Sequence, residues 1–231
     1  MHNLSPHYKA LVVGASGAIG AAFVNALRHD TNCSRVEVLS RSTHPMFDLT
    51  DEASIERALI NIKALSPFDL IIDATGALTI DKDGPEKSLQ AIQAHHLSKS
   101  LWVNCIGPTV LLKNLVPHLS NNRCVYAKLS ARVGSISDNK LGGWYSYRAS
   151  KAAFNMVLHT AGIEHKRKNP NSIFVALQPG TVMSMLSTPF VNQSNAMKPE
   201  DSVEQMLAAI DLLEPISGAH FIDFKGNKIA W

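Results

Sequence analysis

Short apolar runs alternate along the chain with segments of helical spacing. The apolar runs lie at residues 9–15, 36–40, 68–75, 123–130 and 172–178. They are β-branched or apolar throughout, as expected of strands buried on both faces of a sheet. Helical patterns lie at residues 17–29, 51–65, 97–119 and 146–168. The alternation predicts an α/β fold with a doubly wound parallel sheet, helices on both faces, and ligands at the carboxyl ends of the strands.

One interval departs from this alternation. Residues 41–47 are too few for a complete crossover helix, and a possible strand follows at 46–49. We therefore expect a crossover helix to be missing before the helix at 51–65. No repeat or linker divides the 231 residues, and this length suits a single domain better than two. Residues 1–7 are expected to form a flexible tail.

Composition excludes several classes of protein. Hydrophobic residues make up 45% and charged residues 18%, and the net charge of +3 comes from interspersed groups, so we expect a globular protein that does not bind nucleic acid. No apolar run approaches the ~20 residues of a membrane helix, and the first residues lack the apolar core of a signal peptide. We expect a cytoplasmic protein without a membrane role. Three widely spaced cysteines suit reduced, buried thiols better than disulfides or a metal site: Cys33, Cys105 and Cys124.

The first strand ends in a glycine-rich turn. Gly14, Gly17 and Gly20 lie three residues apart where this strand passes into the first helix. A dinucleotide site needs such glycines because the backbone must approach a pyrophosphate closely, while the helix N-terminus stabilises the phosphates. We assign this loop, with Ser16 and Ile19, to a cofactor. The alternative is a tight turn with close helix packing.

The tip of the second strand bears on which cofactor binds. An NAD site of this kind usually has an acidic residue there, which binds the ribose hydroxyls, whereas this chain has Ser40 and Arg41. A guanidinium can form a bidentate, charge-assisted contact with a 2'-phosphate. The tip therefore favours NADP(H) over NAD(H), unless Arg41 is an ordinary solvated arginine.

A tyrosine and a lysine lie four residues apart in the last helical pattern. If this segment is a helix, Lys151 lies on the same face as Tyr147, whereas Tyr145 points elsewhere. A phenol with an ordinary pKa near ~10 is a poor acid-base group at neutral pH, but a nearby ammonium favours the phenolate. We therefore predict that Tyr147 does chemistry. The alternative is an ordinary tyrosine-lysine pair on a surface helix.

The whole chain resembles the short-chain dehydrogenase/reductase family, in its compact single-domain branch with a Rossmann-type fold. The resemblance rests on the segments GASGAIG, DATGA, VNCIGPTVLL, LSARVGSI, YSYRASK and QPGTV. It implies that Tyr147 donates or accepts the proton on the substrate oxygen, while Lys151 binds the nicotinamide ribose and lowers the pKa of Tyr147. It also implies that Asn104 holds a water in a proton relay to Lys151; the alternative is an exposed helical amide.

The same resemblance assigns further residues to the cofactor. Asp48, followed by Leu49, matches the acidic residue that contacts adenine, although it could instead cap the helix that begins near Asp51. The DATG segment matches the family's Asn-Asn-Ala-Gly element loosely, since Asp73 and Thr75 depart from it. The remaining assigned residues come from DATG and from QPGTV, which the resemblance places beside the nicotinamide: Ala74, Thr75, Gly76, Pro179, Gly180 and Val182.

Residues 130–156 look like the branch that includes C-factor-like signalling proteins and carbonyl reductases. The glycine spacing departs from this branch and is closer to that of the epimerase-rich extended branch. Alignment on Gly134 also turns the usual Ser-Ser pair into Ser130 and Ala131, so a methyl group stands where a hydroxyl should bind the substrate carbonyl. Loss of one such donor costs about 10²- to 10³-fold in rate. We assign this role to Ser130, with Ser135 as the alternative.

These features predict an NADP(H)-dependent oxidoreductase that reduces a small, apolar carbonyl compound by hydride transfer or oxidises the corresponding alcohol. Two alternatives stay open: an NADP(H)-binding signalling or regulatory protein with little turnover, and an NAD(P)-dependent epimerase or dehydratase. The resemblance implies a homodimer or homotetramer. Residues 182–198 are expected either to cover the substrate as an apolar lid or to pack in a core or interface, and Trp144 is another candidate wall. The lid residues are Met183, Met185, Leu186 and Phe190.

Overall fold

A six-stranded sheet organises the described part of the chain. The computed structural model describes residues 1–81, 83–183 and 196–231. Its strands are β1 (Tyr8–Val13), β2 (Cys33–Leu39), β3 (Leu70–Asp73), β4 (Cys124–Leu129), β5 (Ser172–Gln178) and β6 (Ala219–Asp223). Their order is β2-β1-β3-β4-β5-β6, and every neighbouring pair is parallel. The predicted parallel sheet is confirmed.

Helices connect the strands and cover both faces of the sheet. They are α1 (Ala18–His29), α2 (Glu52–Lys63), α3 (Ala94–Leu101), α4 (Gly107–Leu115), α5 (Tyr145–Lys166) and α6 (Pro199–Asp211). A π-helical segment, Trp102–Ile106, joins α3 to α4. Residues of α1 and α6 pack on one face, and residues of α2, α4 and α5 pack on the other. The sheet is therefore doubly wound, as the alternating pattern predicted.

Each central strand contributes to two cores, because its side chains alternate between the two faces. In β1, Leu11 and Val13 belong to the core under α2, α4 and α5, whereas Ala10 and Val12 belong to the core under α1 and α6. All four are fully buried, and full burial of a valine or leucine side chain contributes about 1.5–3 kcal/mol. Neither face of the strand meets water, which explains why the strands appear as continuous apolar runs.

The sheet ends at β2, and the possible strand at 46–49 does not form. The hydroxyl of Ser54 accepts a hydrogen bond from the N–H of Asp48 at 2.7 Å and donates to the carbonyl of Met46 at 2.9 Å. These bonds satisfy backbone groups that a strand would have paired with a neighbour. Because no strand forms at 46–49, β2 is an edge strand. The chain then crosses to the other side of β1, so the strand order reverses between β1 and β3. Ligands of doubly wound sheets bind at such a switch point.

Residues 1–7, predicted to form a flexible tail, contact the end of α6. Asp211 accepts hydrogen bonds from the backbone N–H groups of His2 and Asn3, at 2.8 and 3.0 Å. The side-chain amide of Asn3 donates to the carbonyl of Asp211 at 2.9 Å, and Leu4 is buried. These contacts hold the start of the segment against the domain, so the structure shows it packed and not as a free tail.

Two expectations from composition concern cysteines and membranes. Cys105 and Cys124 are buried free thiols, as predicted, whereas Cys33 is only partly buried. Among the described residues, no helix combines the length and apolar character that crossing a membrane requires.

Candidate active site

Two glycines let the first loop fold tightly against itself and against the neighbouring strand. Gly14 has a φ of +83°, and a Cβ there would lie 3.0 Å from the carbonyl carbon of Ala74, in the loop after β3. A Cβ on Gly20 would overlap the carbonyl oxygen of Gly14. The two loops at the switch point therefore touch at Gly14, while glycine at position 20 lets the first loop fold against the start of α1.

Gly17 serves a different purpose. It is the N-cap of α1, and in the described part of the chain a Cβ there would meet nothing closer than the Gly14 carbonyl oxygen, at 3.5 Å. The space above the first turn of α1 is thus open, and helix N-termini bind phosphate through backbone N–H groups. Ser16 is exposed in this loop, and Ile19 is half-buried. The loop therefore fits the pyrophosphate of a dinucleotide.

At the tip of β2, the two predicted phosphate ligands differ in their exposure to solvent. Ser40 is buried, and its hydroxyl lies 2.7 Å from that of Ser42 and 3.4 Å from that of Thr43. Arg41 is exposed beside it. The side chain of Ser40 thus holds the turn together, and Arg41 is the group that is available to a 2'-phosphate.

The next predicted contact lies just before α2. The carboxylate of Asp48 accepts hydrogen bonds from the N–H and the hydroxyl of Thr50, both at 2.8 Å. Helix α2 is capped by Asp51, which accepts from the N–H of Ala53. The alternative that Asp48 caps this helix is therefore wrong. Leu49 lies against the start of α4, where a Cβ on Gly107 would overlap its carbonyl oxygen.

The loop after β3 lies against Asn104 of the π-helical segment. Asn104 is fully buried, so the alternative of an exposed amide is wrong. Its side chain accepts from the N–H of Ala77 at 2.9 Å and donates to the carbonyl of Ala77 at 2.8 Å. Gly76 has a φ of +137°, and a Cβ there would lie 2.9 Å from Asn104 Oδ1 and 3.1 Å from Lys151 Nζ. Glycine at 76 therefore lets this loop reach both side chains.

The structure brings Tyr147 and Lys151 together on α5. Lys151 Nζ lies 5.6 Å from the centre of the Tyr147 ring and donates to the carbonyl of Leu129, at the end of β4, at 3.2 Å. Lys151 is only 4% exposed, whereas Tyr145, two residues before Tyr147, is exposed. The i,i+4 spacing thus identified the correct tyrosine of the two for contact with the lysine.

The protonation of this pair differs from the prediction. Burial raises the pKa of Tyr147 above its ordinary value. Burial lowers the pKa of Lys151 to about 7, with a further decrease from the ammonium of Lys128 and an opposing effect from the Asp73 carboxylate. The expectation that Lys151 lowers the pKa of Tyr147 is not met in this structure, because burial of the phenol disfavours its charged form.

The N-terminus of α5 rests on a buried carboxylate that the sequence did not reveal. Glu86 accepts hydrogen bonds from the hydroxyl and, at 3.0 Å, the N–H of Ser146. His96 Nδ1 lies 3.0 Å from the same carboxylate. Although burial raises the pKa of Glu86, its hydrogen bonds hold the pKa below the ordinary value. A carboxylate at the N-terminus of a helix interacts favourably with the helix dipole. The residue that it binds, Ser146, directly precedes Tyr147.

The candidate serines are both engaged. Ser130 donates to the side-chain oxygen of Asn155 at 2.7 Å, and Asn155 lies eight residues after Tyr147, about 12 Å along the helix axis. Ser135 is buried, and its oxygen accepts from the N–H of Asp138 at 3.0 Å. The hydroxyl hydrogen of Ser130 is therefore already used, whereas the contact of Ser135 uses only an oxygen lone pair.

The turn after β5 is held by α6. Ser202 donates to the carbonyl of Pro179 at 2.6 Å, and Gly180 has a φ of +78°. Val182 pairs with Met197 in a parallel bridge. Met183 is 39% exposed, whereas the other predicted lid residues lie outside the described residues: Met185, Leu186 and Phe190.

A second buried lysine lies beside the site. Lys128 Nζ lies 2.8 Å from Asp73 Oδ1, at the carboxyl ends of β4 and β3. The same ammonium donates to Thr75. Ala74 and Thr75, which were predicted as cofactor contacts, belong to the loop after β3. The ion pair of Lys128 with Asp73 helps to fix the position of this loop.

Comparison with known proteins gives consistent matches. The profile of the family described as short chain dehydrogenase matches residues 8–195. The 1-hydroxy-2-glutathionyl-2-methyl-3-butene dehydrogenase of Rhodococcus sp. (strain AD45) is 27% identical over 192 residues, which cover 82% of this chain and 80% of that protein. The C-signal of Myxococcus xanthus is 27% identical over 176 residues, 76% of this chain and 99% of that protein.

Solved structures show the same fold. The NADPH bound carbonyl reductase from chicken fatty liver superposes with a TM-score of 0.83 at 24% identity, and the match covers 100% of this chain and 97% of that one. At this identity the likeness concerns the arrangement of strands and helices. It agrees with the doubly wound sheet described above.

Proposed function

Because the chain belongs to the short chain dehydrogenase family, we propose that it is an oxidoreductase that uses NADP(H) to reduce a small, apolar carbonyl compound or to oxidise the corresponding alcohol. The fold alone does not fix this function. The observation that carries the proposal is the contact of Tyr147 with Lys151. This contact lies at the carboxyl ends of the strands, where the glycine loop also lies.

Tyr147 and Lys151 carry the proton chemistry of the proposed reduction, and Asn104 would support resupply of the proton through a water. NADPH, when bound, would provide the hydride that the carbonyl carbon accepts. Tyr147 gives its phenolic proton to the carbonyl oxygen, so that the product is an alcohol. Burial keeps Tyr147 protonated, which suits a proton donor. Protonated Lys151 stabilises the tyrosinate that remains and can donate to ribose hydroxyls.

The cofactor would extend along the carboxyl ends of the strands, across the switch point between β1 and β3. The open first turn of α1 suits the pyrophosphate, and exposed Arg41 suits a 2'-phosphate. Asp48 and Leu49 are proposed for the adenine end. The nicotinamide end is assigned to residues 74–76 and to Pro179, Gly180 and Val182. NADP(H) is thus favoured over NAD(H) through Arg41.

A hydroxyl near Tyr147 is needed to polarise the carbonyl oxygen, since Ala131 has none. The bond from Ser130 to Asn155 counts against Ser130. Ser135 accepts from Asp138 and keeps its hydrogen for a further acceptor. We therefore rank Ser135 above Ser130, and Ser135→Ala should then reduce turnover by about 10²-fold or more, while Ser130→Ala should have the smaller effect.

The test is cofactor binding followed by turnover. Purified protein is titrated with NADPH and NADH, and NADPH oxidation is followed across a panel of aldehydes and ketones. Tyr147→Phe removes the proton donor and should abolish turnover while NADPH still binds. Tyr145→Phe is the matched control, since this exposed tyrosine precedes it on the same helix. Equal activity of both variants would disprove the role of Tyr147.

A second candidate is an NADP(H)-binding signalling or regulatory protein with little turnover. It is favoured by Ala131, which removes a hydroxyl from the expected position, and by the likeness to a relative named C-signal. Tight NADPH binding without turnover on any carbonyl would support it. The third candidate, an epimerase or dehydratase, rests on glycine spacing alone and would need conversion of a nucleotide sugar.

We also propose a homodimer or homotetramer, as the family resemblance implies. Sedimentation velocity over a range of protein concentrations tests this assembly. A single species with the mass of one chain, 25.1 kDa, would disprove it.

A further inference from the structure

The ion pair of Lys128 with Asp73 is not used by the proposed function. Their side chains are 1% and 0% exposed. Burying two charges costs several kcal/mol per ion, and replacement of such pairs by apolar residues is often neutral or stabilising. Stability is therefore a weak explanation for charges at this place. Their position beside the site suggests another role.

The ammonium of Lys128 has its hydrogen-bonding capacity filled. It lies 2.8 Å from Asp73 Oδ1, 2.8 Å from the hydroxyl of Thr75 and 2.7 Å from the carbonyl of Thr75. An ammonium has three donors and no acceptor. Three short contacts therefore fix its position, and the ring of Phe154 lies 5.6 Å from it. Burial lowers the pKa of Lys128, and the charge and hydrogen bond of Asp73 oppose this by favouring the ammonium.

The same network fixes the loop that touches Lys151. The N–H and hydroxyl of Thr75 donate to Asp73 Oδ1 at 2.9 and 2.6 Å. The next residue, Gly76, approaches Lys151 so closely that a Cβ would lie 3.1 Å from its Nζ. Lys128 thus supports the turn against which the catalytic lysine is held.

We propose that Lys128, paired with Asp73, is a positioning residue for Tyr147 and Lys151, and that its charge sets the upper pH limit of carbonyl reduction. The proposal rests on the proposed function. Lys128 contacts neither substrate nor cofactor in this scheme; it acts through Thr75 and through its field at Lys151.

The charged and titratable groups around Lys151 determine the direction of the effect. Asp73 faces it from β3, Lys128 from β4, and Tyr147 from its own helix. Tyr126 of β4 faces Asp73, and burial raises its pKa, so it is neutral. Burial and then Lys128 lower the pKa of Lys151, and Asp73 opposes them with the smaller effect. Removing both charges therefore raises the pKa of Lys151.

Reduction needs protonated Lys151, so activity is lost as the pH rises through the pKa of this lysine. The wild type should lose kcat/KM above about pH 7. In Asp73→Asn with Lys128→Gln, which removes both charges and keeps hydrogen-bonding groups, the high-pH limb of the kcat/KM profile should shift to higher pH than in the wild type. The measurement is kcat/KM for NADPH-dependent reduction from pH 5.5 to 10.

An exposed ion pair supplies the matched control. Lys113 of α4 lies 3.2 Å from Glu52 of α2, and Glu52→Gln with Lys113→Gln removes the same two charges away from the site. This control should keep the wild-type profile. Lys128→Arg keeps the positive charge and should keep the limb near its wild-type position.

The outcomes separate this inference from the proposed function. A wild type that turns over no carbonyl contradicts the proposed function, and with it the inference. Turnover whose pH limb is the same in the neutral pair and the wild type overturns the inference alone. If the neutral pair does not fold, the wild type decides: a profile that is flat from pH 6 to 10, while NADPH stays bound, also overturns it.

Discussion

At the scale of single residues, Gly17 and Gly20 are required for different reasons. A side chain on Gly20 would overlap the carbonyl of Gly14, so this glycine is needed for the loop to fold. A side chain on Gly17 would enter open space above α1, and its φ of −78° is accessible to any residue. Gly17 is thus needed only if something occupies that space.

This contrast gives a prediction about stability and binding. Gly20→Ala should lower the free energy of unfolding by about 1–3 kcal/mol, as overpacking does. Gly17→Ala should leave stability close to that of the wild type but weaken NADPH binding about tenfold or more, because the methyl group stands in the path of the pyrophosphate. Urea unfolding and fluorescence titration measure the two effects. Gly17→Ala protein with unchanged NADPH affinity would contradict the assignment of this loop.

At the scale of elements, the position of Tyr147 depends on how α5 begins. Trp144 precedes the helix with a φ of +56°, and Ser146 is held by the carboxylate of Glu86. Glu86 lies in the connection between β3 and α3, so its hydrogen bonds tie this connection to the start of α5. Displacement of one is expected to move the other.

The carboxylate of Glu86 should stabilise the fold in a pH-dependent way. Its folded pKa lies below the ordinary value, so the stabilisation is present at neutral pH and declines as the pH falls through the folded pKa. Glu86→Gln should lower the unfolding free energy by about 1–3 kcal/mol at pH 7, and this loss should be smaller at an acidic pH below the folded pKa. Thermal unfolding at both pH values, with exposed Glu56→Gln as the control, measures it. A loss that does not vary with pH would show that the charge is not involved.

Elements were predictable where the signal is local. The spacing of Tyr147 and Lys151 is a property of one helix, so the sequence alone was sufficient to predict their contact. The helix predicted at 97–119 instead begins at Ala94 and contains a π-helical segment, in which Asn104 pairs with the backbone of Ala77, a partner 27 residues away. Lys128 and Asp73 meet through the register of two parallel strands, which no periodicity within one segment reveals.

At the scale of the whole molecule, the order of strands places the site. Gly14 and Gly76 follow β1 and β3, the two strands between which the order reverses, so the two loops lie together at one edge. The apolar runs predicted these strands and the doubly wound sheet correctly. The possible strand at 46–49 was wrong because Ser54 satisfies its backbone, a contact across eight residues that apolar spacing does not indicate.

A ligand that binds only the folded protein raises its stability. At a concentration one hundred times its Kd, NADPH should raise the unfolding free energy by about 2.7 kcal/mol. NADH at the same concentration should raise the melting temperature less, since Arg41 has no 2'-phosphate to bind. Arg41→Ala should reduce the difference between the melting-temperature shifts that the two nucleotides cause. Thermal shift measurements test this, and an equal shift from both nucleotides in the wild type would contradict the preference for NADP(H).

The bridge between Val182 and Met197 has a consequence for how such a protein can diversify. The N–H of Met183 donates to the carbonyl of Met197, and the N–H of Met197 donates to that of Thr181. These bonds join backbone groups, so the side chains at the three positions can be exchanged without removing a bond. Selection, or an engineer, can therefore vary these side chains while the connection beside β5 is inherited unchanged.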